Sequence, residues 1–398
     1  MKKILILGGG YAGLKCAVTL EKKLKNDEFS VTLISRHDYH YQTTLLHKVA
    51  SGTYSARKAR IFYRNLLKRV EFIKDIANKI DLQNRRVECV RGVYEYDYLV
   101  VCVGFRPNDF GIKGVGEYAH KIQSINSALK IRKNLELNFK DFPFKGDLDD
   151  LSVAVCGSGF TGVEFAAEFA KQADSLCKIC GIDRNLVKIY LIGRGDRILP
   201  MFDEKLSRVA EDKLRKIGVT LVRGDVVECM KDGVVVKSGE KQEKIQANTV
   251  VWSAGVLGNE LIKNSQIPNK NSRVEVNEFL QMPDKPEVFV IGDSAIANER
   301  DIIHAPTAQL ASQMGEYCAK NLVKISQNKP LNEKFHFIHR GTVCAIGHTD
   351  GVGVAYGVNL KGEAAAFLKN IIENRWILSV SNLATVLKKG QFRFRSSD

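Results

Sequence analysis

Ile4-Leu5-Ile6-Leu7-Gly8-Gly9-Gly10-Tyr11-Ala12-Gly13 decides the fold. A short apolar run reads as a buried strand. Gly8, Gly10 and Gly13 follow it in the G-x-G-x-x-G spacing, and Leu14, Ala17, Val18 and Leu20 suit one face of a helix. The three glycines serve different ends, in turn a tight bend, close approach of backbone to a pyrophosphate, and close packing of helix on strand. The helix N-terminus then presents unpaired N–H groups and a positive dipole end to phosphate. The stretch predicts dinucleotide binding without saying which dinucleotide.

The same pattern returns in mid-chain. Ser152-Val153-Ala154-Val155-Cys156 leads into Gly157-Ser158-Gly159-Phe160-Thr161-Gly162, so Gly157, Gly159 and Gly162 repeat the first spacing. Two such turns predict two nucleotide sites. Glu164 lies just inside the second helix, where its carboxylate can face a bound nucleotide or favour the helix dipole; the nucleotide-facing reading is preferred. The strand Val187–Ile192 ends at Gly193-Arg194-Gly195-Asp196. An acid at that strand end selects a free ribose 2′-hydroxyl, whereas arginine accommodates a 2′-phosphate. Gly193 cannot do the former, Arg194 suits the latter, and Asp196 keeps the choice between NADH and NADPH open.

Further strand ends complete the candidate cofactor set. Val31-Thr32-Leu33-Ile34 closes on Ser35 and Arg36 in place of an acid, with a ribose contact, an adenine or phosphate contact, or a solvated strand end as readings. The buried strands Tyr98–Val103 and Thr249–Ala254 end in Gly104 and Gly255. Glu287–Ile291 is capped by Gly292-Asp293, where a carboxylate can accept from ribityl hydroxyls. The segment Asp38–His47 mixes aromatic and polar groups that suit a cavity wall or packing.

A chain of 398 residues with 44% hydrophobic content can bury a large core in two or three domains. The formal charge of +15 favours an acidic partner. No nucleic-acid motif is present, so phosphate-bearing substrates and anionic lipid rank first. No run approaches the ~18 apolar residues of a membrane span. Met1-Lys2-Lys3 leads directly into the glycine turn, so no leader is expected. Nine scattered cysteines suit reduced thiols in a cytoplasmic setting. Cys177 and Cys180 form a C-x-x-C pair that offers a redox dithiol, while a metal site is not expected. Arg57 to Arg69 is a basic cluster read as a solvated helix face, and Asp141–Asp150 reads as a polar linker.

Toward the C-terminus, Pro306-Thr307-Ala308-Gln309 opens a helix on which Gln309 and Gln313 share a face. An amide donates and accepts, which suits a quinone carbonyl or a flavin edge. From Leu360 to Arg395 apolar residues alternate with Lys361, Lys369, Arg375, Lys388, Lys389, Arg393 and Arg395, as expected of an amphipathic helix in a membrane interface.

Taken together the chain resembles the type II, non-proton-pumping NADH:quinone oxidoreductases among the two-dinucleotide-binding-domain flavoproteins. The resemblance rests on both glycine turns, Asp38-Tyr39-His40-Tyr41, Gly162-Val163-Glu164-Phe165 and Ile198-Leu199-Pro200-Met201-Phe202. It continues through Trp252-Ser253-Ala254-Gly255, Ile291-Gly292-Asp293, Thr307-Ala308-Gln309, Arg340–Cys344, Asp350–Gly353 and the basic tail. It implies an α/β fold of two Rossmann-like domains with a C-terminal amphipathic membrane-associating region. The implied division is an FAD domain over 1–110 and 261–345, an NAD(P)H domain over 151–260, and the membrane region over 346–398. FAD is implied at Gly8, Gly10, Gly13 and Asp293. Glu164 is implied beside the nicotinamide, and Gln309, preceded by Ala308, at the quinone pocket. Lys369 is implied near flavin and quinone. Many relatives carry Glu where this chain has Gly193. The implied activity carries electrons from NADH or NADPH through FAD to a membrane quinone. The implied location is peripheral, on the cytoplasmic face of the cell membrane at an anionic lipid surface, with a homodimer left open. A sulfide:quinone or disulfide oxidoreductase, and a flavin-binding sensor without turnover, stand as alternatives.

Overall fold

The computed structural model describes residues 1–24, 29–299 and 302–392. The opening strand, Lys2–Leu7, lies inside a six-stranded sheet. Its order is Gln281–Met282, Lys285–Val290, Tyr98–Val101, Lys2–Leu7, Phe29–Ser35 and Glu71–Lys74. Every neighbour is parallel except the short edge strand Gln281–Met282. Parallel strands need both faces covered; accordingly Ile4, Leu5, Ile6 and Leu7 are all buried. Each such side chain contributes roughly 2 kcal/mol relative to exposure. Helices Tyr11–Lys23 and Ala308–Ser326 pack together so closely that a Cβ on Gly315 would lie 2.2 Å from the Ala12 carbonyl oxygen. The second of these helices starts later than the sequence suggests. Thr307 is its N-cap, accepting from the Leu310 N–H at 3.1 Å, so Pro306 stands outside it.

The second sheet is wholly parallel, in the order Ala119–Lys121, Thr249–Trp252, Ser152–Cys156, Lys188–Gly193 and Val219–Arg223. Its strand Ala119–Lys121 comes from the stretch before residue 151. The helix Ile125–Lys145 packs on the same core, with Phe139 edge-on to Phe169. The expected linker Asp141–Asp150 is therefore the last turn of that helix and a short 3₁₀ turn, Leu148–Leu151. Lys145 and Asp147 are exposed, whereas Asp150 is buried and accepts from Asn248 Nδ2 at 2.9 Å. Two antiparallel segments, Phe105–Pro107 and Val256–Gly258, run side by side between the sheets.

At the C-terminal end an antiparallel meander, Thr342–Ala345, Gly351–Ala355 and Val358–Lys361, supports helices Glu363–Val380 and Leu383–Lys389. The amphipathic pattern expected here takes an unusual form. The inner face of Glu363–Val380 carries Ala365, Asn370, Glu373, Trp376 and Ile377, with Lys369 in an ion pair 12% exposed, while Phe367, Ile371, Ile372 and Leu378 are exposed. Apolar residues thus lie on both faces of this helix, because ionic partners from another helix hold Lys369 and Glu373 inside among buried Trp376, Ile377 and Val380. Arg393 and Arg395 lie outside the described residues.

Candidate functional site

The two glycine turns are built alike. Gly8 has φ +107° and Gly157 has φ +122°, left-handed values that a side chain would strain. A Cβ on Gly13 would sit 1.9 Å from the Gly8 carbonyl oxygen, and one on Gly162 the same distance from that of Gly157. By contrast, nothing lies within 4 Å of where a Cβ on Gly10 or Gly159 would be. Gly10 and Gly159 are the N-caps of their helices and provide no side-chain cap. Each turn thus presents open space in front of uncapped helix N–H groups, which fits a pyrophosphate.

The first turn is held from two sides. Tyr63 donates its hydroxyl to the Gly9 carbonyl at 2.7 Å, and His40 Nδ1 lies 3.1 Å from the same oxygen. His40 Nε2 accepts from the Trp376 indole N–H at 3.1 Å. Burial pushes the His40 imidazole down to about 4, against the hydrogen bond to Gly9, so the ring is neutral with its proton on Nδ1. The C-terminal helix is in this way fastened to the first turn.

Around that turn, Ser35 ends its strand half-buried and Arg36 is exposed. Gly104, at φ +74°, donates its N–H to Ser294 Oγ at 3.2 Å, which places it beside the Gly292–Ser294 turn. The Asp293 carboxylate has no hydrogen-bond partner among the described residues. Burial raises its pKa to about 6, with Arg273 offsetting part of the effect. A half-buried, unpartnered carboxylate at a strand end fits a donor from a polyhydroxyl ligand.

The second turn opens into a cavity of about 900 Å³ lined by Gly157, Gly159, Gly193, Arg194, Asp225 and Gly255. A Cβ on Gly193 would lie 2.2 Å from Ser158 Oγ, so the missing acid is matched by a neighbour that fills its place. Arg194 pairs with Asp225 at 2.5 Å; their side chains are 78% and 49% exposed, and such a pair exchanges partners at little cost. The structure gives Asp196 no ion-pair partner among the described residues.

Where helix Phe160–Cys180 meets the C-terminal helix, charges are buried together. The Glu164 carboxylate receives Lys369 Nζ at 2.8 Å and the Ala345 N–H at 3.1 Å, and His47 Nδ1 lies 3.4 Å away. Burial opposes its ionisation, yet Lys369, His47 and the Ala345 N–H together hold its pKa below the usual carboxylate range. Burial likewise opposes the charge on Lys369, but Glu164 and Glu373 raise its pKa. His47 is driven down to about 4 by burial, against the pull of Glu164 and Glu168, so a neutral ring faces Glu164 at 3.4 Å.

Gln309 and Gln313 both bind backbone of the segment 338–341. Gln309 Oε1 accepts from the Arg340 N–H at 2.8 Å and its Nε2 donates to the Gly341 carbonyl at 3.3 Å. Gln313 clasps the N–H and carbonyl of Ile338 in the same manner. Both amides have backbone partners already, so what they do here is hold the segment 338–341. Ala308 is the first residue of the same helix. Cys177 and Cys180 are free thiols at the end of helix Phe160–Cys180. Thirteen residues separate Glu164 from Cys177, about 20 Å along the helix axis, so the pair stands away from this site. A Cys177→Ser/Cys180→Ser variant is expected to keep wild-type turnover in a steady-state assay; loss of turnover would restore the dithiol reading. Among the described residues no cluster of metal ligands occurs.

Sequence reasoning missed His47, Lys48, Glu168, Glu373 and His348. The signal was there in part: Glu168 follows Glu164 by four residues and Glu373 follows Lys369 by four, the spacing that puts side chains on one helix face.

Two parallel nucleotide folds, each opening on an uncapped glycine turn, define the pyridine nucleotide-disulphide oxidoreductase class, and that family's profile matches residues 2–315. The chain is 38% identical to a type II NADH:quinone oxidoreductase of Staphylococcus saprophyticus over 98% of its length and 99% of the relative's. It is 36% identical to one of Staphylococcus aureus with the same coverage. The chain belongs to the type II NADH:quinone oxidoreductase family. Its fold matches the structure of NDH2 from Plasmodium falciparum in complex with NADH, with a TM-score of 0.87 at 22% identity, covering 99% of this chain and 100% of that one. It also matches the sulfide:quinone oxidoreductase of Aquifex aeolicus, with a TM-score of 0.78 at 21% identity, covering 96% and 92%.

Proposed function

We propose that the protein is an FAD-dependent NADH:quinone oxidoreductase. The observation that carries this reading is the pair of open turns at Gly10 and Gly159 within one chain that also buries the Lys369–Glu164 pair. FAD, when bound, accepts a hydride from NADH and hands two electrons to a quinone. The residues fit both nucleotides: Gly8, Gly10 and Gly13 with the following helix N-terminus would hold the FAD pyrophosphate, and Asp293 would accept from its ribityl chain. Ser35, Arg36 and Gly104 would border its other groups. Gly157, Gly159 and Gly162 would hold the NADH pyrophosphate, with Arg194 and Gly255 lining its cavity. In this reading the FAD domain is assembled from 1–110 and 261–345, the nucleotide domain is 151–260, and 346–398 meets the membrane.

Lys369 keeps Glu164 ionised and fixed, so the carboxylate can orient a nicotinamide carboxamide by accepting from it. Gln309 shapes the acceptor side by holding Arg340 and Gly341 in place. The quinone arrives from the lipid. Among the described residues no helix is long and apolar enough to cross a membrane. Exposed Phe367, Ile371, Leu378, Leu383 and Leu387, with Arg375 and Lys388 beside them, support peripheral docking on an anionic surface at the cytoplasmic face.

Stopped-flow mixing of the flavin-loaded protein with NADH, then with a quinone, tests the reading. Bleaching of the flavin band by NADH and its return on adding quinone are expected; no bleaching by either nicotinamide nucleotide overturns it. With Gly193 and Arg194 at the ribose end, NADPH is expected to bleach the flavin as well, and an Arg194→Ala variant to lose that ability selectively.

A further inference from the structure

The buried charges beside Glu164 do not balance. Three carboxyl groups, Glu164, Glu168 and Glu373, are each at most 4% exposed, and two ammonium groups, Lys369 and Lys48, share their interior. His47, held neutral by burial, adds no positive charge. Unbalanced charge in such surroundings is costly, so the cluster together with His348, which contacts Glu168, holds one further proton. Hydrogen bonding decides where it rests. Glu164 has Lys369 and the Ala345 N–H. Glu168 accepts from Thr53 Oγ1 at 2.8 Å and faces His348 Nδ1 at 3.3 Å. Glu168 thus lacks a hydrogen-bond partner at Oε1 only, whereas among the described residues neither oxygen of Glu373 has one, and the cation Lys48 Nζ stands 4.0 Å away.

We propose that Glu373 stores the proton that quinone reduction consumes, and that it is reloaded from solvent through His348, Glu168 and Lys48. The inference rests on the reading of the protein as a quinone reductase. NADH and a quinone become NAD⁺ and a quinol only with one proton beyond the hydride. In the proposed step the O–H bond of Glu373 breaks and an O–H bond of the quinol forms. The electron pair comes from NADH through the flavin, and water on the outside replaces the lost proton by way of His348. Lys369, one helical turn before Glu373, and Glu164 carry it inward. His348 is 23% exposed and marks the outer end of the path. Lys48 stands 4.0 Å from Glu373, and its charge acts on both Glu168 and Glu373.

The pKa directions agree with the geometry. Burial raises Glu373, and Lys48 and Lys369 only partly offset it, with Glu164 and Glu168 adding to the rise. Burial also opposes ionisation of Glu168, but His348 beside it at 3.3 Å and the Lys48 charge outweigh it and bring its pKa to about 2. Tyr11 and Tyr54 complete the titratable surroundings of Glu373, and both have pKa values raised by burial. The Glu373 backbone carbonyl is held by Gln42 Nε2 at 3.3 Å, which fixes this turn of the helix.

Glu373→Gln keeps the shape of the protonated acid and removes its proton. In the flavin-loaded variant, bleaching by NADH is expected at the wild-type rate, while quinone turnover falls at least about tenfold. The wild-type profile should decline toward alkaline pH as Glu373 loses its proton; the variant should lack that limb, and Glu373→Asp should restore part of the rate. Independently of NADH, redox-difference infrared spectra of the protein reduced with dithionite should show a protonated-carboxyl band that Glu373→Gln removes. Wild-type quinone turnover with an unchanged pH profile, or retention of the band, overturns the proposal. Should Glu373→Gln fail to hold flavin, His348→Leu decides: slowed turnover that added imidazole restores supports the path, and unchanged turnover across pH refutes it. Failure of wild-type bleaching by NADH would instead refute the quinone-reductase reading and leave the infrared result to judge Glu373.

Discussion

A Lys369→Met variant is expected to fold, bind flavin and lose about 100-fold or more of its quinone-reductase turnover, equivalent to about 2.7 kcal/mol in barrier height. The physical reason is the company that Glu164 keeps. Its carboxylate is buried, and Lys369 Nζ at 2.8 Å is the only ammonium in contact with it among the described residues. His47, the other side chain in contact, is neutral. Removing one partner of a buried ion pair typically costs about 3–5 kcal/mol, because the remaining charge has no counterpart. Glu164 then relieves the strain by taking up a proton, so its pKa rises and it no longer offers an anionic acceptor. Thermal unfolding should show the variant less stable than wild type at neutral pH, with the difference shrinking in acid as Glu164 becomes neutral. Wild-type turnover in Lys369→Met would remove both residues from the reaction.

The second large effect separates two glycines of one turn. Gly13→Val should leave little folded protein, since even its Cβ would meet the Gly8 carbonyl oxygen at 1.9 Å and Cys102 Sγ at 2.7 Å. Backbone and a buried sulfur cannot step aside, so the helix must lift from the sheet, with a loss of about 4 kcal/mol or more. Gly10→Val should behave in the opposite way. The position has φ −71° and ψ −161°, which any residue can adopt, and no protein atom lies within 4 Å of its Cβ. The apoprotein should melt close to wild type, within about 0.5 kcal/mol. Flavin retained after gel filtration should nevertheless fall at least about tenfold, because the valine occupies the space meant for the pyrophosphate. Full flavin content in Gly10→Val would refute the assignment of this turn to FAD.

Much of the fold was legible because its signals are local. Glycine spacing, the apolar strands before it and the helices after it sit within a few turns of chain, and both Rossmann-like sheets follow from them. Short strands also fill the stretch between Gly218 and Ala247, at Val219–Arg223, Asp225–Met230, Gly233–Ser238 and Lys241–Gln246. Asp141–Asp150 misled because a charged exposed helix end and a linker have the same composition. What Gln309 and Gln313 hold was not legible for another reason: their backbone partners lie 25 or more residues away in sequence, on the segment 338–341.

The amino-acid order by itself determined the two nucleotide turns, the strand ends around them and the family, since each depends on residues close together in the chain. Tertiary structure alone decided the charge arrangement. Lys369 reaches Glu164 across 205 positions, and Lys48 faces Glu373 across 325, by difference of their numbers. It also decided which face of the C-terminal helix is buried. Hydropathy assigns charged residues outward one by one, but burial is settled by partners. A lysine and two glutamates that meet on neighbouring helices can stay inside, leaving phenylalanine and leucine to face out.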